Sequence, residues 1–164
     1  MRLMGVEFLT KNSINHSKLM KVFKNDPEVF TDSEEDQIVY DNLYQELKKG
    51  DFSLIGDQES FFLNSHNTSI WIPYLIYRWK FKEYPKRKIV AEFPVYLRVE
   101  PTSSCNLRCI MCFQVDKSFS SNKQFLGRMD FSLFKEIITQ AHEGGTKAIT
   151  LASRGEPTIH PQLA

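Results

Sequence analysis

The sequence predicts an α/β fold in which a mainly helical N-terminal segment, residues 1–90, precedes the beginning of a parallel strand–helix unit, residues 91–164. Two observations predict it. Apolar residues in the first half recur at helical spacing between capping residues. From Val95 the pattern changes to a β-rich run, a loop, an amphipathic helix and a second β-rich run, which is the order of a parallel crossover unit.

The strongest helix of the first half is predicted to begin within Thr31–Asp36, where the segment TDSEED supplies capping side chains and acids beside the positive helix end. Gly50 is predicted to end this helix in a left-handed conformation. Apolar residues at helical spacing form its buried face: Val39, Leu43 and Leu47.

Three further predictions cover the rest of the first half. A weaker helix is expected over Ser13–Lys24. Residues 51–69 have no clear period and many turn formers, and they predict a surface connection. The stretch 70–88 predicts a short helix with a core face and a solvated basic face, running into a linker at Pro85. A nucleic-acid or membrane-surface patch is the alternative for these basic residues.

The second half begins with VYLRVE, bounded by Pro94 and Pro101, which predicts a strand. A helix is predicted over Phe131–Glu143, with Asp130 as its N-cap and Gly144 and Gly145 at its end. Its apolar stripe comprises Phe131, Phe134, Ile137, Ile138 and Ala141. The run Lys147–Ala152 predicts a second, largely buried strand, followed directly by the loop SRGEPTIHP.

Composition excludes several classes of protein. The 164 residues are 41% hydrophobic and 25% charged, as in ordinary globular proteins rather than disordered or fibrous ones, and the net charge of +1 argues against generalised nucleic-acid binding. The sequence has no apolar run near the ~20 residues of a spanning helix. Its first residues also lack the pattern of a secretory signal. We therefore expect a cytoplasmic protein with no membrane span.

The cysteines Cys105, Cys109 and Cys112 all lie in the loop after the first predicted strand. Three is an odd number, and thiols stay free in a reducing compartment unless metal or catalysis uses them. Thiolates hold iron–sulfur clusters, and three ligands on a four-iron cluster leave one iron open for chemistry. Asn106 and Arg108 can donate hydrogen bonds near the sulfurs. A zinc site is the alternative, with His142 or His160 as its fourth ligand.

The segment EPTSSCNLRCIMCFQ resembles the signature of the radical SAM superfamily, whose three cysteines have this spacing after the first barrel strand. The resemblance covers about Val95 to Ala164. It implies a [4Fe–4S] cluster on Cys105, Cys109 and Cys112, a bound S-adenosylmethionine (SAM), and the beginning of a partial (β/α) barrel.

A second segment, TLASRGEPTIHPQL, resembles the family's Gly-Glu-Pro element, which receives the amino group of SAM. The resemblance implies that Gly155, Glu156 and Pro157 receive the amino group of SAM here. Glycine at 155 lets the backbone come close to that ligand. The sequence departs from the family in two places. Met111 stands where an aromatic residue often lies by the adenine, and Arg154 stands where glycine is common. Arg154 is interpreted as a solvated surface residue, with a carboxylate contact as the alternative.

The resemblance implies an enzyme that generates a 5′-deoxyadenosyl radical from SAM, with a flavodoxin or ferredoxin as electron donor, acting on a substrate that the sequence does not identify. The alternatives are a non-catalytic metal-binding module, holding a cluster or zinc, and an inactive fragment of such an enzyme. The family's barrel has six strand–helix units, and roughly two fit in residues 91–164, at about 30 residues for each crossover. We therefore expect this chain to be one piece of a longer barrel.

Overall fold

The chain divides into two units, residues 1–90 and residues 91–164, and each is described separately. The structure is a computed structural model that describes residues 14–24 and 33–163. Its helices and strands, in chain order, are α1 His16–Lys24, α2 Glu34–Lys48, α3 Asp57–Ser65, α4 Trp71–Arg87, β1 Tyr96–Arg98, α5 Lys117–Ser120, α6 Phe131–Glu143 and β2 Ala148–Thr150. No helix within the described residues has the length and apolar character needed to cross a membrane.

Helix α2 confirms the strongest helix prediction. Its N-cap is Ser33, whose Oγ accepts a hydrogen bond from the backbone N–H of Asp36 at 3.1 Å. The predicted apolar face is buried, and Gly50 has φ +82° just after the last turn. Local capping signals therefore placed both ends of this helix within a few residues.

Helix α1 confirms the weaker prediction from His16 onward. Leu19 and Phe23 are fully buried, and the phenol of Tyr40 on α2 donates a hydrogen bond to the carbonyl oxygen of Phe23. Ser13, where the predicted helix begins, lies outside the described residues. The two helices therefore pack through an apolar contact that includes one satisfied polar group.

The prediction of a surface connection over 51–69 is wrong, because α3 occupies Asp57–Ser65. Glu59 and Leu63 are buried on its inner face. The carboxylate of Glu59 accepts hydrogen bonds from the backbone N–H of Gly56 at 3.0 Å and from Arg78 Nε at 2.7 Å. A charged residue therefore takes a core position, which removes the apolar period by which a helix is recognised in sequence.

The prediction for 70–88 is wrong in two respects. Helix α4 has 17 residues and continues through Pro85 to Arg87, so no linker begins there. Its basic residues are largely paired rather than solvated. Lys80 Nζ lies 2.6 Å from Glu35 and 2.5 Å from Asp36, and Lys82 Nζ lies 3.0 Å from Glu59. These cations neutralise buried acids of neighbouring helices.

The second unit contains a two-stranded parallel sheet. β1 pairs with β2 in the register Tyr96 with Ala148, Leu97 with Ile149 and Arg98 with Thr150. Helix α6 connects them and has the predicted bounds and the predicted N-cap, Asp130, whose carboxylate accepts from the Ser132 N–H at 2.8 Å. The crossover order is therefore confirmed for this strand pair.

Burial in this sheet differs from the prediction for the second strand. Ala148 and Ile149 are half-buried and Thr150 is exposed, so β2 is shorter and less buried than the expected Lys147–Ala152. On α6, Ala141 is buried and the rest of the predicted stripe is half-buried. A two-stranded sheet covers little of either face, which explains the exposure of these apolar residues.

Candidate functional site

The cysteine loop leaves the C-terminal end of β1. A short distance after the strand, Pro101, Thr102 and Ser103 are buried. Cys105 and Cys112 are half-exposed and Cys109 is exposed, and all three thiols are free. The loop therefore rises from a buried base to an accessible tip, on the side of a parallel sheet where α/β proteins place reactive groups.

Ser103 fixes the base of the loop against residues 125–127. Its backbone N–H donates to the carbonyl oxygen of Gly127 at 3.0 Å, and its Oγ donates to the carbonyl oxygen of Phe125 at 2.9 Å. The buried side chain of Gln114 donates from Nε2 to the carbonyl oxygen of Ser103 at 2.8 Å. These hydrogen bonds, of which the one from Gln114 is buried, hold the chain on both sides of the cysteines.

The tip of the loop is held by short-range contacts. The Cys112 N–H donates to the Cys109 carbonyl oxygen at 2.9 Å, and the Leu107 N–H donates to Cys105 Sγ at 3.4 Å. Arg108 Nη1 donates to the carbonyl oxygens of Cys105 and Leu107, at 3.3 and 2.7 Å. Arg108 thus contacts carbonyl oxygens of the loop, whereas the contact with sulfur comes from a backbone N–H.

The three thiols share this loop but not a coordination sphere. Across residues 14–24 and 33–163, no group of three or more His, Cys, Asp or Glu side chains is arranged to hold a metal ion. The chemistry of the donor set nevertheless fits an iron–sulfur cluster, because it consists of free cysteine thiols. Residues 106–111 are exposed, so a rearrangement that gathers the thiols would disrupt no core packing.

Met111, predicted to lie by an adenine ring, is 84% exposed. Its neighbour Ile110 is 93% exposed. Phe113, on the other side of Cys112, packs edge-on against Phe119 with ring centroids 4.8 Å apart. The thioether of Met111 is therefore accessible to a ligand, whereas the aromatic side chain after Cys112 is already engaged.

The Gly-Glu-Pro loop meets the base of the cysteine loop. The Glu156 N–H donates to the carbonyl oxygen of Ser104 at 2.9 Å. A Cβ atom at Gly155 would lie 1.8 Å from the Thr102 carbonyl oxygen and 2.8 Å from that of Ser104. The backbone of Gly155 therefore lies close to the chain segment just before Cys105, where only glycine fits, whereas its expected approach to SAM stays a prediction.

The Glu156 side chain caps a short 3₁₀ turn, Pro157–Ile159. Its Oε1 accepts from the Thr158 N–H at 3.1 Å and from Thr158 Oγ1 at 2.7 Å. These hydrogen bonds lower the pKa of Glu156, so the group is an anion at neutral pH. Within the described residues Oε2 has no hydrogen-bond partner and faces no cation, which leaves it open to a donor from a ligand.

Arg154 is a half-exposed surface residue, as expected, but its guanidinium is paired rather than fully solvated. Its Nη2 donates to Glu100 Oε1 at 2.7 Å, and its backbone N–H donates to Glu100 Oε2 at 2.8 Å. Glu100 lies between β1 and the cysteine loop, 54 positions earlier in the chain. The predicted alternative, a contact with a carboxylate, is the one observed, and it fastens the Gly-Glu-Pro loop to the end of β1.

Within the described residues, neither histidine of the zinc alternative forms a metal-binding group with the cysteines. His160 is buried, and its Nε2 lies 3.1 Å from the Met129 carbonyl oxygen while its Nδ1 accepts from the Gln162 N–H at 3.4 Å. Because a carbonyl only accepts, Nε2 carries the proton. His142 is exposed in the last turn of α6. His160 therefore links the end of the Gly-Glu-Pro loop to Met129 through a hydrogen bond.

The side chains that sequence reasoning missed are Glu100 and Gln114, and His160, considered only as a zinc ligand, has a structural contact instead. Each acts through a contact with a residue distant in sequence, such as the 31 positions between His160 and Met129. One signal was available for Glu100, an acid at the C-terminal end of a predicted strand, where parallel folds gather polar groups. Gln114 carries no comparable signal.

Comparison with known proteins gives one informative relative. Over 69 residues the chain is 43% identical to the tungsten-containing aldehyde ferredoxin oxidoreductase cofactor-modifying protein of Pyrococcus furiosus. The match covers 42% of this chain and 18% of the relative, so the chain spans less than a fifth of the protein it matches. No protein-family model matches the chain, and no solved structure matches it.

Proposed function

We propose that the chain contributes the cluster-binding and SAM-binding loops of a radical SAM enzyme that modifies a cofactor. The observation that carries this proposal is the contact between the two motif loops. The Glu156 N–H bonds the carbonyl oxygen of Ser104, the residue before Cys105. Two segments of unrelated sequence, each resembling an element of the same family, therefore meet in space at the end of a parallel strand.

Cys105, Cys109 and Cys112 would hold the cluster. When bound, a [4Fe–4S] cluster with one open iron supplies the electron that cleaves the sulfonium bond of SAM and so releases a 5′-deoxyadenosyl radical. The exposed tip of the loop gives this site access to an electron donor such as a flavodoxin or ferredoxin. A reducing cytoplasm is where these thiols would stay free of disulfides.

Gly155, Glu156 and Pro157 would receive the amino group of SAM. An ammonium donates three hydrogen bonds, and Glu156 Oε2 is an anionic acceptor with no partner in the described residues. Gly155 lies so close to Thr102 and Ser104 that a Cβ would meet their carbonyl oxygens, and the next residue, Glu156, bonds Ser104 through its backbone N–H. Met111 is accessible for packing on the adenine ring.

The substrate class comes from the relative, whose name describes the modification of a cofactor. The remaining strands of a partial barrel would come from further residues of the functional protein. Supporting this arrangement, β1 and β2 are parallel and joined by a helix, which is the repeating unit of such barrels.

SAM binding tests the role of Glu156. In equilibrium dialysis of the anaerobically reconstituted chain, Glu156→Gln is expected to raise the Kd for SAM about tenfold, because one charge-assisted hydrogen bond is lost. Glu143→Gln is the matched control, since Glu143 is an exposed acid at the end of α6, and it should leave the Kd unchanged.

SAM cleavage tests the activity itself. With SAM and dithionite the reconstituted chain is expected to release 5′-deoxyadenosine, and Cys109→Ala is expected to abolish the release. An iron-loaded chain that neither binds nor cleaves SAM would overturn the proposal and favour a non-catalytic metal-binding module.

A further inference from the structure

A cleft of about 530 Å³ lies beside the cysteine loop. Small-molecule sites commonly have volumes of about 300–1,000 Å³. Cys105 is one of the lining residues, so the cleft adjoins the proposed cluster site. Among the described residues, its lining includes none from Arg154 to His160, so it is distinct from the surface proposed for the SAM amino group.

The charges in this cleft are positive. Arg108 and Lys117 line it, and in the part of the chain that the structure describes neither has a carboxylate within ion-pair distance. Arg108 uses Nη1 for loop carbonyl oxygens, and its Nε and Nη2 have no partner within the described residues. Asp116 is next to Lys117 in sequence, but its carboxylate caps the Ser118 N–H at 2.8 Å. Two cations therefore face the cleft without internal neutralisation.

The remaining lining includes both hydroxyls and apolar groups. Ser120 and Ser121 contribute side-chain hydroxyls that make no hydrogen bond within residues 14–24 and 33–163. Val115 and Leu126 contribute apolar surface. A ligand that satisfies all of these groups has a multiply charged anionic end with several acceptor oxygens and an apolar body.

We propose that this cleft binds a small organic phosphate monoester, with its phosphate on Arg108 and Lys117 and its organic part against Val115 and Leu126. A phosphate monoester carries about −1.5 to −2 charges at pH 7 and matches two cations, whereas a carboxylate carries one. The assignment of this cleft as the site of the modified cofactor rests on the proposed function above. The assignment of phosphate binding rests only on the residues that line the cleft.

The probe is phenyl phosphate, titrated into the ¹⁵N-labelled, metal-free 164-residue chain at constant ionic strength and followed by NMR. We expect saturable shifts confined to the amides around Arg108, Lys117, Ser120 and Ser121. Phenyl phosphate should bind more tightly than inorganic phosphate, because the ring adds apolar contact. Phenol should produce no shifts there, because it lacks the anionic group.

Two variants and one control assign the binding to the cleft. Arg108→Gln and Lys117→Gln are each expected to raise the Kd for phenyl phosphate about tenfold, because each removes a charge-assisted hydrogen bond. Lys123→Gln removes an exposed cation that does not line the cleft and should leave the Kd within about twofold. The amide spectra of the variants show directly whether each one is folded.

Absence of saturable shifts at the cleft, equal affinity for phenol, or equal Kd values in the three variants would overturn the proposal. The measurement contains no iron and no SAM. Failure of cluster assembly with intact phosphate binding would therefore count against the proposed function alone, and cluster assembly without phosphate binding would count against the cleft alone.

Discussion

The backbone N–H of Glu156 donates a hydrogen bond to the carbonyl oxygen of Ser104, at 2.9 Å. This contact joins the Gly-Glu-Pro loop to the residue before Cys105. Around it lie the tight approach of Gly155 to Thr102 and the ion pair between Arg154 and Glu100. The two loops are thus held together by backbone and side-chain contacts, and the Gly155 approach and the ion pair each make a separate prediction.

Gly155→Ala is expected to destabilise the second unit by about 1–3 kcal/mol, because a methyl group 1.8 Å from the Thr102 carbonyl oxygen forces the loops apart. Gly127→Ala is the control, since a Cβ there meets nothing within 4 Å. Urea unfolding, followed by NMR on the amides of β1 and β2, measures the free energy of unfolding of both variants. Equal stability of the two variants would show that the loops are not in contact.

The ion pair between Glu100 and Arg154 predicts a pH dependence. Hydrogen bonds from Arg154 lower the pKa of Glu100 below its ordinary value, so the pair contributes stability above the unfolded-state pKa of about 4.3 and loses it as pH falls through the lower folded-state pKa. Arg154 is about half-exposed, so the contribution is expected to be about 1 kcal/mol or less.

The check is the difference in free energy of unfolding between the unsubstituted chain and Glu100→Gln, measured from pH 7 to pH 3 with the same strand amides. We expect a difference near neutrality that shrinks at acid pH and with added salt. A difference that is constant over this pH range would contradict the assigned ion pair.

Sequence reasoning succeeded where the determining interactions are local. Ser33 and Asp130 cap the helices that follow them, and Gly50 and Gly144 stand at helix ends, so α2 and α6 could be placed from neighbouring residues. At Gly155 the structure shows a different reason for glycine from the one expected, because a Cβ there would meet the carbonyl oxygens of Thr102 and Ser104.

Sequence reasoning failed where buried ion pairs, rather than apolar side chains, occupy core positions. Lys80 is buried in an ion pair with Asp36, and Glu59 is buried against Arg78 and Lys82, so α3 has no apolar period and the basic residues of α4 are largely paired. Each of these ion pairs joins different helices. The contact between Glu100 and Arg154 spans 54 positions, and no local pattern predicts a partner at that distance.

Lys80 gives the sharpest prediction for the first unit. Burial acts to lower its pKa, but hydrogen bonds and charge from Asp36 and Glu35 outweigh this effect and raise it, so Lys80 is a cation at neutral pH. Lys80→Met is expected to cost about 3–5 kcal/mol, because it leaves these acids without their cation.

Tryptophan fluorescence in urea measures this loss, since both tryptophans, Trp71 and Trp79, lie on α4. The control is Lys86→Met, whose side chain is 67% exposed and which should change stability by less than about 0.5 kcal/mol. Equal effects of the two substitutions would contradict the assignment of Lys80 as the neutralising cation.

Iron and sulfide content after anaerobic reconstitution of the 164-residue chain tests the central proposal most directly. We expect a brown protein with about four iron and four sulfide per chain, lost in Cys105→Ala, Cys109→Ala and Cys112→Ala. Ile110→Ala, a change at a 93% exposed position of the same loop, should retain the full content. A colourless chain that binds zinc, or an iron content unaffected by loss of the thiols, would contradict the proposal.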